Sequence, residues 1–169
     1  MLSIVFALVG AGLLALDQWV KYWTVQTFSA PVPPAVSTAD AAQPLIPGFV
    51  ELTRVHNYGA AWSSFSGSKW LLIIVTSVIV AAVAVVLIRR VVRHSLGVAA
   101  GCLIISGGLG NIIDRLRLGY VVDMFHFEFW PSYPVFNVAD MCVVFGVVLA
   151  AIYYLWFYEK YDKKGRRHG

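Results

Sequence analysis

Four long apolar segments constrain the fold of this 169-residue chain more than any other feature. A helix rises about 1.5 Å per residue, so roughly 20 apolar residues cross a hydrocarbon core of about 30 Å. The segments of sufficient length lie at residues 2–23, 70–88, 96–113 and 138–157. They predict an all-α integral membrane protein, in which residues 1–169 form a single four-transmembrane-helix bundle.

The positive charges are concentrated on one side of this predicted bundle. Eight of the thirteen lysine and arginine residues lie between the second and third spans or after the fourth. Because cytoplasmic loops carry the excess of lysine and arginine, both segments and both termini are predicted to be cytoplasmic. Residues 24–69 and 114–137 then form the outer loops. The basic groups flank membrane spans, so membrane lipid, and not nucleic acid, is the expected partner.

The acidic residues show the opposite distribution. Only Glu159 and Asp162 follow the last span, whereas the other acids lie at or beyond the outer ends of spans. These are Asp17, Asp40, Glu51, Asp114, Asp123, Glu128 and Asp140. An ionisable group at membrane depth is costly, and by default it indicates a functional site. Chemistry is therefore expected at the outer face.

Signal-peptide cleavage, a disulfide and a metal site find little support in the sequence. The first span has no basic segment before it, and its apolar run is long for a signal peptide. Cys102 and Cys142 are expected at different membrane depths, farther apart than the roughly 7 Å that a disulfide allows. His126 and Glu128 could in principle bind a metal, but no second histidine stands at metal-site spacing. Neither a metal nor a cofactor is predicted.

The outer loops are predicted to add a small β-containing region to the bundle. Residues 30–47 are rich in proline and alanine and are expected to be extended and poorly ordered. Residues 49–55 alternate well enough to predict a short strand, with Val50 and Leu52 on one side. Residues 124–130 alternate aromatic and polar side chains, which is typical of an aromatic belt at headgroup level.

The third span is rich in small residues. Gly97 and Gly101 form a GxxxG pair, and a Gly-Gly-Leu-Gly run follows at 107–110. Small residues let helix backbones approach closely where lipid provides no hydrophobic drive for association. This span is therefore predicted to pack closely against its neighbours.

Charged residues at the ends of the first and third spans are predicted to form pairs. Asp17 and Lys21 are spaced i,i+4 on one helical face, which fits either a salt bridge or a group that orients a site. Asn111 and Asp114 are neighbours if the third helix persists, and Arg115 can pair with nearby carboxylates.

Asp123 and Asp140 are the candidate catalytic residues. The chain can turn back along the outer surface before Asp123, and Asp140 lies in the first predicted turn of the fourth span, so both are expected at similar depth. Asn137 lies three residues before Asp140, where it can cap the helix or donate a hydrogen bond. From spacing alone, two acids paired with Arg115 and Lys21 for structure explain the pattern equally well.

Two carboxylates in a poorly solvated site share one proton, because both cannot ionise cheaply. The ionised member can then take a proton from water, and the protonated member can donate one to a carbonyl or a leaving amine. The main alternative is a small proton-coupled transporter. Such a protein is expected to have acids near the bilayer midplane and repeat symmetry. The Gly-x-Gly-Asp motif of presenilin-type proteases is absent.

Five blocks of the sequence, in order, resemble those of the bacterial lipoprotein signal peptidase family (signal peptidase II). They are Asp-Gln-Trp-Val-Lys (17–21), Asn-Tyr-Gly-Ala-Ala-Trp (57–62), Gly-Gly-Leu-Gly-Asn-Ile-Ile-Asp-Arg (107–115), Gly-Tyr-Val-Val-Asp (119–123) and Phe-Asn-Val-Ala-Asp (136–140). The chain also resembles the family in length and in its four spans. Tyr58 and Trp62 depart from the Thr and Phe usual in the family, which leaves the shape of the site's rim open.

The resemblance implies that Asp123 and Asp140 are the catalytic aspartates. It also implies positions that support the site or contact substrate: Asp17, Lys21, Asn57, Gly59, Asn111, Asp114, Arg115, Asn137 and Ala139.

The implied activity is that of a metal-independent aspartic endopeptidase. Its substrate would be a prolipoprotein whose cysteine already carries diacylglycerol, cleaved immediately before that cysteine. The enzyme would act as a monomer in the bacterial cytoplasmic membrane, with its active site near the outer face. A lipidated cysteine holds its scissile bond at the outer interface, which is the depth expected for the two aspartates.

Overall fold

Four helices form the bundle in the computed structural model, which describes residues 2–32, 35–59 and 68–163. They are α1 (Leu2–Thr27), α2 (Lys69–Ile88), α3 (Ser95–Arg117) and α4 (Val138–Trp156). Each is long and apolar enough to cross a membrane, which confirms the predicted all-α membrane fold. A π-helical turn, Tyr158–Lys163, follows α4. Trp62 lies outside the described ranges, as do two prolines of the segment 30–47 and three basic residues after the fourth span: Pro33, Pro34, Lys164, Arg166 and Arg167.

Two helices continue four residues beyond the apolar segments that predicted them. α1 ends at Thr27 and α3 at Arg117, so both enter what were predicted to be outer loops. The end of α1 is held by Arg54, which donates hydrogen bonds to the carbonyls of Val25 and Phe28 at 3.3 and 2.9 Å. Such contacts satisfy carbonyls that a helix end leaves without a partner. The length of the apolar segment therefore underestimates the length of these two helices.

The glycines of α3 allow the close packing that the sequence predicts. α3 packs against all three other helices. A Cβ atom on Gly107 would lie 2.3 Å from the carbonyl oxygen of Ala139 in α4, and one on Gly110 would lie 2.6 Å from Oδ2 of Asp17 in α1. Side chains at these positions would force the helices apart, so the glycines fix the distances between α3 and its neighbours.

A three-stranded antiparallel sheet lies beside the helix ends. Its strands are β1 (Gln43–Ile46), β2 (Val50–Asn57) and β3 (Val121–Phe127), in that order. β2 confirms the predicted strand and extends it to Asn57. β1 was not predicted, because it belongs to the proline-rich stretch that was expected to be poorly ordered. β3 begins before the predicted aromatic belt. The alternation of aromatic and polar side chains in that belt follows the two-residue period of a strand.

A bulge in β2 decides which of its side chains face Asp123. Leu52 pairs with Phe125, but Val55 pairs with Asp123, so β2 contains one extra residue between the two pairs. Beyond the bulge, Val55 and Asn57 lie on the Asp123 face of the sheet. Without the extra residue, Asn57 would lie on the opposite face, because a one-residue shift of register inverts every side chain.

The sheet packs against the end of α1. Phe28, Leu52, Val122 and Met124 form a buried apolar cluster there. Beside it, Arg54 Nε donates to Nε2 of His56 at 3.1 Å. Burial and the charge of Arg54 lower the pKa of His56 to about 4, so this imidazole is neutral at neutral pH and can accept that hydrogen bond.

Candidate active site

One asparagine joins the two candidate aspartates. Asp123 lies on β3 and is almost completely buried, whereas Asp140 lies in the first turn of α4. Asn137 Nδ2 donates to Asp123 Oδ1 at 2.6 Å, and its backbone N–H donates to Asp140 Oδ2 at 3.2 Å. The two carboxyl groups are therefore each one hydrogen bond from the same residue.

Asn137 is also the N-cap of α4, as its position predicts. Its side-chain oxygen accepts a hydrogen bond from the backbone N–H of Asp140 at 2.8 Å, and Asp140 returns the contact, so the two residues form a capping box. The positive end of the helix dipole favours a carboxylate in this turn. The same local motif thus begins the helix and positions Asp140.

Two further asparagines donate to the carboxyl oxygens that Asn137 does not contact. Asn57 Nδ2 donates to Asp123 Oδ2 at 2.9 Å, and Asn111 Nδ2 donates to Asp140 Oδ1 at 2.8 Å. Asn111 Oδ1 accepts from Asn137 Nδ2 at 3.2 Å and from Lys21 Nζ at 3.1 Å. Asn57 of β2, Asn111 of α3 and Asn137 before α4 thus bond to the two carboxyl groups, and Lys21 of α1 contacts Asn111.

The pair is not neutralised by a direct salt bridge. Within the described part of the chain, no lysine or arginine nitrogen lies within 4 Å of a carboxylate oxygen of Asp123 or Asp140. Burial and the negative charge of Asp140 together raise the pKa of Asp123 to about 8, despite the hydrogen bonds from Asn57 and Asn137. The alternative in which Lys21 and Arg115 pair directly with these acids does not describe the observed contacts.

Lys21 is instead held between two other carboxylates. It forms the predicted salt bridge with Asp17 at 2.9 Å and a second with Asp114 at 3.1 Å, and all three side chains are buried. Asp17 Oδ1 accepts from the backbone N–H of Ala139 at 2.8 Å, and Asp114 Oδ2 accepts from that of Val122 at 3.1 Å. This charged cluster therefore fixes the residues that immediately precede Asp140 and Asp123.

Arg115 contacts a carbonyl in place of the predicted carboxylate. It donates to the carbonyl oxygen of Gly59 at 2.7 Å. The N–H of Gly59 donates to Asn57 Oδ1 at 2.9 Å, which leaves the amide group of Asn57 directed toward Asp123. Arg115 thus holds the turn after β2. Tyr58 in this turn is exposed and packs against Tyr120.

Gln18 belongs to the same network, although it was not among the site residues predicted from the sequence. Its Nε2 lies 3.1 Å from Asp17 Oδ2, 3.1 Å from Asp114 Oδ1 and 3.3 Å from the carbonyl oxygen of Gly110. The available signal was its i,i+3 spacing to Lys21, which places both side chains on one helical face.

His126 and Glu128, the residues considered for metal binding, have separate partners. His126 Nδ1 lies 2.7 Å from Glu51 Oε1, and Glu128 Oε2 accepts from the N–H of Gly48 at 2.6 Å. The first contact connects β3 to β2, and the second connects the residue after β3 to the turn before β2. Cys102 and Cys142 are both free thiols.

An apolar cleft opens beside Asp140. Its volume is about 370 Å³. Apart from Asp140, its lining is apolar and aromatic and comes from the sheet, from the segment after β3 and from α4: Leu45, Phe49, Val50, Phe125, Phe127, Tyr133, Phe136, Met141, Val144 and Phe145. A mostly apolar lining with a few polar groups is the usual composition of a binding site.

Comparisons with known proteins agree with this architecture. The model of the family described as signal peptidase (SPase) II matches residues 9–156. A lipoprotein signal peptidase of Enterococcus faecalis is 41% identical over 166 residues, covering 98% of this chain and 96% of that protein. A lipoprotein signal peptidase of Clostridium acetobutylicum is 43% identical over 123 residues, covering 72% and 80% respectively.

Two solved structures show the same fold. Both are described as bacterial membrane enzymes, and both are 30% identical to this chain. One has a TM-score of 0.77 and covers 90% of this chain and 87% of its own; the other has a TM-score of 0.75, with 92% and 93% covered. The chain therefore belongs to the signal peptidase II family, the lipoprotein signal peptidases, and is a multi-pass membrane peptidase.

Proposed function

We propose that this peptidase is an aspartic endopeptidase that removes the signal peptide from diacylglyceryl-modified prolipoproteins, cleaving immediately before the lipidated cysteine. One observation carries the proposal: the carboxyl groups of Asp123 and Asp140 both bond to Asn137. Two carboxyls so close in a buried site are suited to hold one proton between them.

The protonation state of the pair follows from its surroundings. The pKa of Asp123 is raised to about 8 by burial and by the charge of Asp140. Asp140 receives hydrogen bonds from Asn111 and from the backbone N–H of Asn137, and it lies at the positive end of α4. At neutral pH the pair therefore holds one proton, and we assign it to Asp123.

The chemistry then needs one water and no covalent intermediate. Asp140 accepts a proton from water as that water attacks the scissile carbonyl, while Asp123 donates its proton to the carbonyl oxygen. When the C–N bond of the tetrahedral diol breaks, Asp140 gives its proton to the departing amine and Asp123 takes back a proton from a hydroxyl of the diol, so the pair again holds one proton on Asp123. Asn57 and Asn111 keep the carboxyl groups in place during both steps, because each donates to one of them.

The hydrolysis is proposed to be metal-independent, because the groups around the pair are unsuited to a cation. The aspartate oxygens accept hydrogen bonds from amide N–H groups. A metal instead requires oxygen, nitrogen or sulfur lone pairs directed at it. Lys21, which donates to Asn111, adds a positive charge nearby. Among the described residues, no group of three or more His, Cys, Asp or Glu side chains is arranged to hold a metal.

The apolar cleft offers a place for the lipid on the substrate. Asp140 lies at its edge, and the remaining lining is apolar. An acyl chain in the cleft would leave the backbone beside the modified cysteine near the two aspartates. The cleft therefore supports a lipidated substrate over an unmodified peptide.

We also propose the orientation in the membrane. The aspartates lie beside the C-terminal end of α3 and the N-terminal end of α4, whereas Arg89, Arg90 and Arg93 follow the C-terminal end of α2. By the positive-inside rule these arginines are cytoplasmic, so both termini are cytoplasmic and the aspartates lie near the outer face of the bacterial inner membrane. Among the described residues, no buried side-chain nitrogen or oxygen lacks a hydrogen-bond partner, so the network is complete without a second copy, and we propose that the enzyme functions as a monomer.

The transporter alternative is not favoured. Asp114 and Asp140 lie at helix ends and Asp123 lies on β3, so the two candidate catalytic acids are beside a sheet and not at the middle of the spans. Proton-coupled transporters use ionisable groups near the midplane.

The test is cleavage of a diacylglyceryl-modified precursor peptide by the purified protein in detergent. Asp123→Asn and Asp140→Asn are each expected to lower the rate by at least about 10²- to 10⁴-fold, the usual contribution of general acid–base catalysis. Asp40→Asn is the matched control, because Asp40 is exposed and its contacts are with Ser29 and Thr38. A chelator should leave the wild-type rate unchanged.

The same peptide without lipid should be cleaved much more slowly. Thermal unfolding of each variant must show that the protein remains folded. Wild-type rates in either aspartate variant would contradict the proposed chemistry, whereas equal rates on both peptides would contradict only the lipid requirement.

A further inference from the structure

We propose that a groove between α1 and α2, at the end of the bundle opposite the aspartates, binds one anionic phospholipid. The headgroup would contact Arg90 and Arg93, and an acyl chain would follow the groove along α3. This inference goes beyond the proposed peptidase function, which uses neither the groove nor these arginines.

The groove exists because α1 and α2 each pack against α3 but hardly contact each other. Its mouth, with a volume of about 700 Å³, is lined on α1 and α2 by Ala7, Leu87 and Ile88, and on α3 by Val98 and Cys102. A second cavity of about 410 Å³ shares Ala7, Leu87, Ile88 and Cys102 with the mouth. The two are therefore one groove, called the inner groove here.

The deeper part of the inner groove suits an acyl chain. It continues past Gly10 and Leu14 of α1 to Ile105 and Leu109 of α3, so it extends from the basic end of the bundle toward the middle of the spans. Ser106, the polar side chain in this part, donates to the carbonyl oxygen of Gly10 at 2.8 Å and is satisfied within the protein. The walls therefore offer an apolar surface to a ligand.

The mouth of the groove carries unneutralised positive charge. Arg90 and Arg93 line it, and both are exposed. Among the described residues, neither guanidinium forms a salt bridge within 4 Å. The nearby acid, Asp162, is buried and accepts from the backbone N–H groups of Arg93 and His94 and from the hydroxyl of Tyr153. The carboxylate of Asp162 therefore accepts these hydrogen bonds and forms no salt bridge with Arg90 or Arg93.

Positive charge above an apolar groove selects for an anionic lipid. Basic pockets between transmembrane helices on the cytoplasmic side bind acidic headgroups, and arginine can contact a phosphate through two N–H groups. A zwitterionic lipid would fill the same groove with less electrostatic attraction. The charge and the shape together favour an anionic phospholipid over a free phosphate or an uncharged chain.

Native mass spectrometry of the full chain in detergent tests this site. Phosphatidylglycerol and phosphatidylcholine with identical acyl chains would be titrated separately. We expect tighter binding of phosphatidylglycerol, and a loss of about fivefold in its affinity for each of Arg90→Gln and Arg93→Gln. Arg89→Gln is the matched control, because Arg89 is exposed and adjacent but does not line the groove.

A second pair of variants tests the acyl chain. Ala7 is exposed on α1 and lines both parts of the groove, so Ala7→Phe should fill it and weaken both lipids without disturbing the core. Ala151→Phe, on an exposed position of α4, should leave binding unchanged. Precursor cleavage in detergent by the arginine variants should remain at the wild-type rate.

Any of four results would overturn the proposal. The first is equal affinity of the wild type for the two lipids, and the second is unchanged phosphatidylglycerol affinity in the double arginine variant. The third is full competition by glycerol phosphate, which has no acyl chains and would indicate an anion site only. A dimer that is lost in Ala7→Phe would instead assign the groove to a second copy of the chain.

Discussion

Asn137 combines two roles that can be separated by substitution. Its side-chain oxygen caps α4, and its amide group donates to Asp123. Serine is also a good N-cap but has no amide group at this position. Asn137→Ser should therefore retain most of the stability and lose the contact with Asp123, whereas Asn137→Ala should lose both.

We expect Asn137→Ala to destabilise the protein by about 1 kcal/mol relative to Asn137→Ser, which is the usual value of an N-cap. Both variants should lose cleavage activity, because in both the carboxyl of Asp123 is no longer held at its Oδ1. Thermal unfolding and cleavage rates on the same preparations measure the two effects. Wild-type activity in Asn137→Ser would show that the amide contact is dispensable.

Most of the residues in the network could be selected from the sequence, for an identifiable reason. Asn111, Asn137 and Asp140 are polar residues at the predicted ends of apolar spans, where burial is costly, and Asp123 stands in a block, 119–123, that resembles the family. The partner of Arg115 could not be predicted, because a guanidinium at this position can bond to a carboxylate or to a carbonyl with equal ease. The structure brings it to Gly59 through a turn that no periodicity describes.

At the scale of elements, the distance between α3 and α4 positions Asp140. Gly107 faces the carbonyl oxygen of Ala139, the residue directly before Asp140. Gly107→Ala should push α4 outward, with a cost of about 1–3 kcal/mol for overpacking. It should also lower the cleavage rate, because Asp140 would move relative to Asn111.

Gly12→Ala is the control for that substitution. A Cβ atom on Gly12, also within a helix, would meet nothing within 4 Å. This change should preserve activity and should not destabilise the protein, because alanine favours a helix more than glycine does. Equal effects of the two substitutions, measured by thermal unfolding and cleavage, would show that the α3–α4 distance does not matter.

The helices were more predictable than the sheet. Membrane spans are set by apolar length, which is read directly along the chain. β1 lies in a proline-rich segment that lacks a strand pattern, and it forms because its backbone pairs with β2. The bulge between Leu52 and Val55, which brings Asn57 to the Asp123 face, depends on pairing with β3 and has no local signal.

For the whole molecule, orientation in the membrane is the property to test. A fluorescent reporter that folds only in the cytoplasm should be active when fused after the last residue. A phosphatase that requires the oxidising exterior should be inactive there and active when inserted in the loop between α1 and β1. The reverse pattern would contradict both the orientation and the outer position of the aspartates.

The pH dependence of kcat/KM tests the central claim most directly, namely that Asp123 and Asp140 share one proton and activate one water. The raised pKa of Asp123, about 8, means that the pair retains its proton at neutral pH and loses it above that value. kcat/KM for the lipidated precursor, which reports the ionisation of the free enzyme, should therefore fall as the pH rises above about 8, because the general acid is then absent. A kcat/KM that stays constant or keeps rising above that pH, in a protein shown to remain folded, would contradict the shared proton.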